Sequence, residues 1–472
     1  MSITTPIKKM LKVVHKNIPE DLQYPLGGIY ANTIRPLTFG GGRSFRRYQH
    51  DFCKTEYASR EELEKLQWEK FKKLLDYAYK NVRFYRNTFQ QIGITPENIN
   101  CFDDLVKIPV LTKEDIRNHF DDLIADGMKK EDLIVHETGG STGTPLKFYW
   151  DKRCYIAVQA AYARWKKFAG CNVIKDKYVY IGRYDFPEGS DGSDFFGIYY
   201  PFRNQLKFAS SNMREKVLKK YVQKMKKFKP KYIQGYASGV YILASYIHEN
   251  GIDDIKVDAV LTSSDTLYSK YRESIEDVFG CKVFDRYGLG EEVATAVECE
   301  EHQGMHIDME KCLVEVIDDN DEQIFDETGE IIGTNLENYA MPLIRYRTND
   351  LGQISLRICS CGRESILLDN LEGRKDDIII TPDGRRVSGG GLNQIGMTIF
   401  NIREYQFIQK TIDKIIINMV RRKGYSDEDT KKFLNKLRTQ VGNAIEIKIE
   451  FVDSIPRTRG GKFKLIISEV EG

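Results

Sequence analysis

Apolar positions recur at helical spacing in two long stretches. Over residues 60–92, Leu63, Leu66, Phe71, Leu74, Leu75, Ala78 and Val82 fall near a 3.6-residue period. This predicts a helical segment that Gly93 and Pro96 bring to an end. Over 214–228, Val217, Leu218, Tyr221, Val222, Met225 and Phe228 share one face and lysines fill the other, the pattern of a helix with a solvated side. Thr112, followed three residues later by Asp115, predicts a capped helix start within 111–117. Short apolar runs at 178–182, 232–234 and 257–262 alternate with helical patterns at 237–249 and 269–279, a rhythm that predicts an α/β sheet. From 312 onward the texture changes to short strands, at 313–317, 331–335 and 343–347, separated by acidic turns. A boundary falls at Glu372-Gly373-Arg374-Lys375-Asp376-Asp377. Beyond it, strands near 378–381, 414–420 and 445–452 and a helix near 427–441 predict a small α+β unit. The expected organisation is a large multi-subdomain α/β body over 1–373 and an α+β lid over 374–472.

Composition narrows the function classes. Lys plus Arg number 71 and Asp plus Glu 69, a net charge of +2, which argues against a protein built to coat nucleic acid. Aromatic residues at 11% supply a core and argue against disorder. No apolar run approaches the ~18 residues of a membrane-spanning helix. Lys8, Lys9, Lys12 and Lys16 interrupt any secretory leader core, so a cytoplasmic protein without a membrane span is expected. The nine cysteines are an odd number and cannot all pair within one chain.

The most informative stretch is Thr138-Gly139-Gly140-Ser141-Thr142-Gly143-Thr144-Pro145. Its glycines permit close backbone approach, and its hydroxyls and N–H groups suit a polyphosphate. The spacing is not that of a Walker A loop. It does match the Gly-x-Ser-x-Gly elbow of a serine hydrolase, with Ser141 as nucleophile. An elbow runs into a helix, however, whereas Leu146, Phe148 and Trp150 alternate like a strand. Tyr287-Gly288-Leu289-Gly290-Glu291-Glu292-Val293 fails as a dinucleotide fingerprint, because Val293 stands where the third glycine belongs.

Five segments in fixed order resemble the adenylate-forming (acyl-AMP) ligase superfamily. They are the 138–145 loop, Tyr287-Gly288-Leu289-Gly290-Glu291, Tyr346-Arg347-Thr348-Asn349-Asp350-Leu351, Gly373-Arg374-Lys375-Asp376-Asp377 and Pro456-Arg457-Thr458-Arg459-Gly460-Gly461-Lys462. Ile108-Pro109-Val110-Leu111-Thr112-Lys113, with Cys299 and Cys359-Ser360-Cys361, resembles the phenylacetate–CoA ligase family, in particular its branch associated with capsular polysaccharide biosynthesis.

The resemblance implies an enzyme that joins a small-molecule carboxylic acid to ATP, expels pyrophosphate, and passes the acyl group to CoA or to an amine or hydroxyl acceptor. Thr138, Gly139, Gly140, Ser141, Thr142, Gly143 and Thr144 would then cradle the β- and γ-phosphates. Tyr287 and Gly288 would line the nucleotide, and Glu291 would ligate Mg²⁺. Asp350 would accept the ribose hydroxyls, with Arg374 beside it. Lys462 would bridge the carboxylate and the α-phosphate, and Asp376 would be the hinge of lid rotation. An acid pocket is expected between 181 and 266, with Tyr184, Tyr236, Ser264 and Asp265 as lining groups. Two departures stand out: Gly290 replaces the usual Thr, and Asn349 the usual Gly. The first motivates an alternative, an adenylate-binding protein without turnover.

Cys299 and His302, with Cys359 and Cys361, supply four N/S ligands, the number and type of a closed structural Zn²⁺ site. His306 is an alternative fourth ligand.

Overall fold

The computed structural model describes residues 43–138, 146–184, 196–375, 377–389, 392, 393, 395, 399, 401–458 and 461–470. Among these, a 12-stranded sheet forms the body. Five of its strands lie parallel in the order Gln205–Ala209, Tyr178–Gly182, Tyr232–Gly235, Ala259–Ser263 and Lys282–Gly288. Ile198–Tyr200 closes the outer edge antiparallel. Beyond Lys282–Gly288 the sheet turns antiparallel through Thr295–Glu298, Met305–Ile307, Leu367–Arg374, Tyr346–Ser355, Gly329–Asn335 and Cys312–Ile317. The parallel strands are joined by helices that bury one side. Glu215–Phe228 buries Val217, Leu218, Tyr221, Val222, Met225 and Phe228, the stripe read from the sequence.

The predicted helix over 60–92 is two helices, Arg60–Asn81 and Arg83–Ile92, meeting at an extended Val82. The break tucks the fully buried Val82 into the core, and Phe84 N donates to Asp122 O at 3.0 Å in place of a helical partner. Ser59 and Glu62 form a capping box at the first helix, an arrangement worth about 1 kcal/mol. Phe71, Leu74 and Leu75 are fully buried there, each contributing roughly 1.5–3 kcal/mol of apolar burial. The capping box foreseen at Thr112 and Asp115 is present, with Thr112 N donating to Asp115 Oδ2 at 2.8 Å.

A second sheet has the order Glu446–Phe451, Lys414–Arg421, Ile402–Thr411, Ile466–Ser468. Helix Asp427–Val441 packs Phe433, Leu437 and Val441 against its Ile402, Phe407, Ile415, Ile417 and Met419. The sequence reading did not anticipate Ile402–Thr411. This inner strand buries Glu404, Gln406 and Gln409 as well as its apolar residues, which hides the alternation. The second sheet docks on the body through polar contacts. Tyr241 Oη donates to Arg403 O at 3.1 Å, Arg422 Nη2 donates to Tyr241 Oη at 2.8 Å, and Arg403 pairs with Glu249. Among the described residues no helix is long and apolar enough to cross a membrane.

Candidate active site

Parallel strands deliver their carboxyl ends to one edge, where open α/β sheets characteristically bind ligands. Here Ala259–Ser263 runs into Ser264 and Asp265, Tyr232–Gly235 into Tyr236, and Lys282–Gly288 carries Tyr287 and Gly288 at its end. The antiparallel half brings Asp350 and Arg374 to the same place as cross-strand partners. Tyr287 Oη donates to Asp350 Oδ2 at 2.9 Å, and Arg374 Nε lies 3.7 Å from Asp350 Oδ1. Asn349, just before this acid, has φ +63°, a left-handed conformation that Asn tolerates better than most residues. Asn349 therefore holds a backbone state of the kind glycine also adopts.

Glu291 is buried and accepts from Tyr346 Oη at 3.1 Å through Oε1. Burial pushes its carboxyl upward, against the opposing pull of Lys113 and Arg374. Burial likewise raises Asp350, opposed by Arg374, Tyr287, Lys113 and Lys462. Lys462 is half-buried. Desolvation lowers its pKa, and Asp265, Asp350 and Glu291 act to restore it. The lysine of the second sheet's loop is thus within electrostatic reach of the acids of the body. Ser210 Oγ anchors that loop by donating to Gly461 O at 2.8 Å.

Of the pocket residues, Asp265 caps helix Ala237–Glu249 by accepting from Ala237 N at 2.6 Å and Ser238 Oγ at 2.5 Å. Tyr236 is buried at the start of that helix, and burial raises its hydroxyl to about 12. Ser264 is exposed with φ +78°. Tyr184 lies under the Lys207 ammonium, 5.6 Å from its ring. Thr138 sits opposite Gly290, where an added Cβ would lie 3.3 Å from Thr138 Cγ2. Gly139, Gly140, Ser141, Thr142, Gly143, Thr144 and the hinge residue Asp376 lie outside the described residues.

The cysteine cluster differs in one member from the first sequence choice. Cys299, Cys359 and Cys361 converge with His306, not His302, and the four ligand atoms lie within 4.8 Å of one another. His302 occupies a left-handed turn at φ +52°, from which its ring turns back to Glu298 (3.3 Å) and Phe284. His306 stands on the neighbouring strand with Nε2 3.4 Å from Cys361 Sγ and Nδ1 2.8 Å from Ser365 Oγ. Burial lowers its pKa to about 4, keeping the imidazole neutral as a ligand must be. Cys299 and Cys359 Sγ are 3.7 Å apart. A tetrahedral metal with Zn–S bonds of about 2.3 Å separates its sulfurs by roughly 3.8 Å, so the donor set fits zinc.

Lys113, whose charge acts on Glu291 and Asp350, was not read from the sequence as a site residue. Its segment is held by a parallel bridge of Leu111 to Tyr346, with Arg347 N donating to Leu111 O at 2.9 Å. Arg345 Nη1 secures the same segment through Ile108 O at 2.6 Å. The Ile108–Lys113 motif was the available signal. Its role, docking against the strand that carries Asp350, needed the fold.

Known proteins resemble the chain over most of its length. The CapK C-terminal domain family matches residues 379–469. Protein CapK of Staphylococcus aureus is 28% identical over 430 residues, covering 87% of this chain and 90% of CapK. Phenylacetate-coenzyme A ligase of Thermus thermophilus is 25% identical over 442 residues, covering 87% and 98%. A structure of 2-hydroxyisobutyryl-CoA ligase in its postadenylation state, in complex with 2-HIB-AMP, shares the fold with a TM-score of 0.71 at 20% identity, covering 88% and 91%. The fold is thus that of the adenylate-forming ligases. Over most of its length the chain is similar to phenylacetate–CoA ligases and to CapK.

Proposed function

We propose that the protein activates a carboxylic acid with ATP and Mg²⁺, then transfers the acyl group to CoA or to an amine or hydroxyl acceptor, in the manner of a surface-polysaccharide enzyme. The observation that supports this reading is the Asp350 carboxylate bonded by Tyr287 and paired with Arg374 at the carboxyl edge of the parallel strands, with Lys462, on the loop that Ser210 anchors, within electrostatic reach of Asp265, Asp350 and Glu291. In the first step a carboxylate oxygen attacks the α-phosphorus and the bond to pyrophosphate breaks. Both reactants are anionic, so fixed positive charge and positioning carry the catalysis. Lys462 meets the charge developing between carboxylate and α-phosphate, and the Asp350 carboxylate, held by Tyr287 and Arg374, accepts the ribose hydroxyls. Glu291 would supply one hard oxygen ligand to Mg²⁺, which when bound would neutralise charge at the phosphates. In the second step a thiol, amine or hydroxyl attacks the acyl carbon and AMP leaves. Residues 374–472 act as the lid between the steps.

We further assign Cys299, His306, Cys359 and Cys361 to a structural Zn²⁺. With four protein ligands no position is left for a catalytic water. With Nδ1 protonated, the Ser365 hydroxyl 2.8 Å away would accept its hydrogen and leave Nε2 as the ligand atom.

The test of function is a carboxylic-acid library assayed for ATP- and Mg²⁺-dependent pyrophosphate release, with Lys462→Ala as control. A hit that survives Lys462→Ala at wild-type rate overturns the assignment.

A further inference from the structure

Glu291 is followed by a second glutamate whose side chain goes the opposite way. Glu292 is buried and has φ +54°, an unfavourable backbone state for a glutamate that persists only where its surroundings hold it. Its N–H closes the turn on Leu289 O at 3.1 Å. Its carboxylate accepts Arg286 Nη2 at 3.1 and 2.9 Å and Lys311 Nζ at 2.9 Å, and Lys311 also donates to the Glu292 carbonyl at 3.3 Å. Arg286 and Lys311 are buried too. Arg286 Nη1 donates to Tyr162 Oη at 3.0 Å, and the guanidinium lies 4.1 Å from that ring's centre. Gly288 makes room for this arrangement, since a Cβ there would stand 2.6 Å from Arg286 Nη1. A buried ion triad adds little net stability over apolar packing, so its presence here calls for a positional explanation.

We propose that Glu292, gripped by Arg286 and Lys311, is a positioning residue that sets the Tyr287–Glu291 turn and so aims Glu291 at the magnesium–nucleotide. The inference rests on the role given to Glu291 above. Consecutive side chains in the turn diverge: the inner glutamate is locked to two cations, and the outer one stays at the site with Tyr346 as its hydroxyl donor. Asn335 Nδ2, 3.4 Å from Glu291 O, steadies the backbone between them.

The test uses the full chain and ATP titrated calorimetrically with Mg²⁺ and with chelator, alongside pyrophosphate release. Glu292→Gln keeps the shape and removes the charge. Its gain in ATP affinity from Mg²⁺ is expected to shrink about tenfold or more, with half-saturating Mg²⁺ raised to match and KM for the acid unchanged. Glu292→Asp is expected to recover part of the loss. If Glu292→Gln does not fold, Tyr162→Phe, which removes one hydroxyl from Arg286, is expected to shift the Mg²⁺ dependence in the same direction by less. A folded variant with wild-type Mg²⁺ dependence, or with equal losses in every parameter, overturns the proposal. Glu291→Gln run in parallel separates the two ideas. If it is silent, the reading of Glu291 falls and this inference with it; if it is disabling while the folded Glu292 variant is silent, only the inference falls.

Discussion

Replacing Gly461 by Ala asks whether the loop carrying Lys462 must dock as seen here for the first half-reaction. Gly461 has φ +78°, and a Cβ there would overlap Ser210 Oγ. An alanine in that left-handed state is strained by about 1 kcal/mol. Relieving the overlap turns Ser210 away and forfeits its 2.8 Å bond to the Gly461 carbonyl, a further ~0.5–1.5 kcal/mol. The total, about 1.5–2.5 kcal/mol, shifts the docked arrangement by as much as roughly 10–60-fold. In the proposed reaction only adenylation needs Lys462 at the acids, so the two half-reactions should separate. Pyrophosphate release from ATP and acid is expected to fall toward that factor, while acceptor-dependent consumption of purified acyl-adenylate is unchanged. Ser210→Ala alone forfeits the bond without the strain, ~0.5–1.5 kcal/mol, so it should lower adenylation by only about 2–13-fold. Wild-type pyrophosphate release in Gly461→Ala, or an equal loss in its consumption of acyl-adenylate, refutes the reasoning.

Burial lowers Lys462 from 10.5 and raises Glu291 and Asp350 from 4.5 and 3.8, and in the proposed reaction the lysine works protonated while the acids work ionised. Adenylation kcat/KM is therefore expected to fall as pH rises through a value below 10.5, and to fall as pH drops through values above the usual carboxylate range. Lys462→Arg should move the alkaline limb upward. Asp350→Asn removes the charged acceptor of the ribose diol, about 1.5–3 kcal/mol, so KM for ATP is expected to rise roughly 10–150-fold, measured by initial rates. Protein purified without added zinc should hold about one equivalent by elemental analysis, and Cys359→Ser should lose it and melt at a lower temperature. His302→Ala should keep the metal, because His302 stands outside the cluster.

Local order was legible because local residues decide it. The stripe of Glu215–Phe228, the Thr112–Asp115 cap and the strand–helix alternation of 178–279 follow from spacing within a few residues. The ordered motifs at Tyr287, Asp350, Arg374 and Lys462 were equally visible, since each is a contiguous string. What the sequence could not order was decided by partners far along the chain. His306 rather than His302 joins the cysteines because the pairing of Met305–Ile307 with Leu367–Arg374 brings His306 beside the segment after Tyr346–Ser355. Glu292 meets Lys311, and Ser210 meets Gly461, only across the folded sheet. The alternation of Ile402–Thr411 is hidden because tertiary packing covers Glu404, Gln406 and Gln409. Composition and periodicity settle which segments become helix or strand, through burial and capping energies that act over a few residues. The meeting of distant charges is settled by sheet order, which no local pattern encodes.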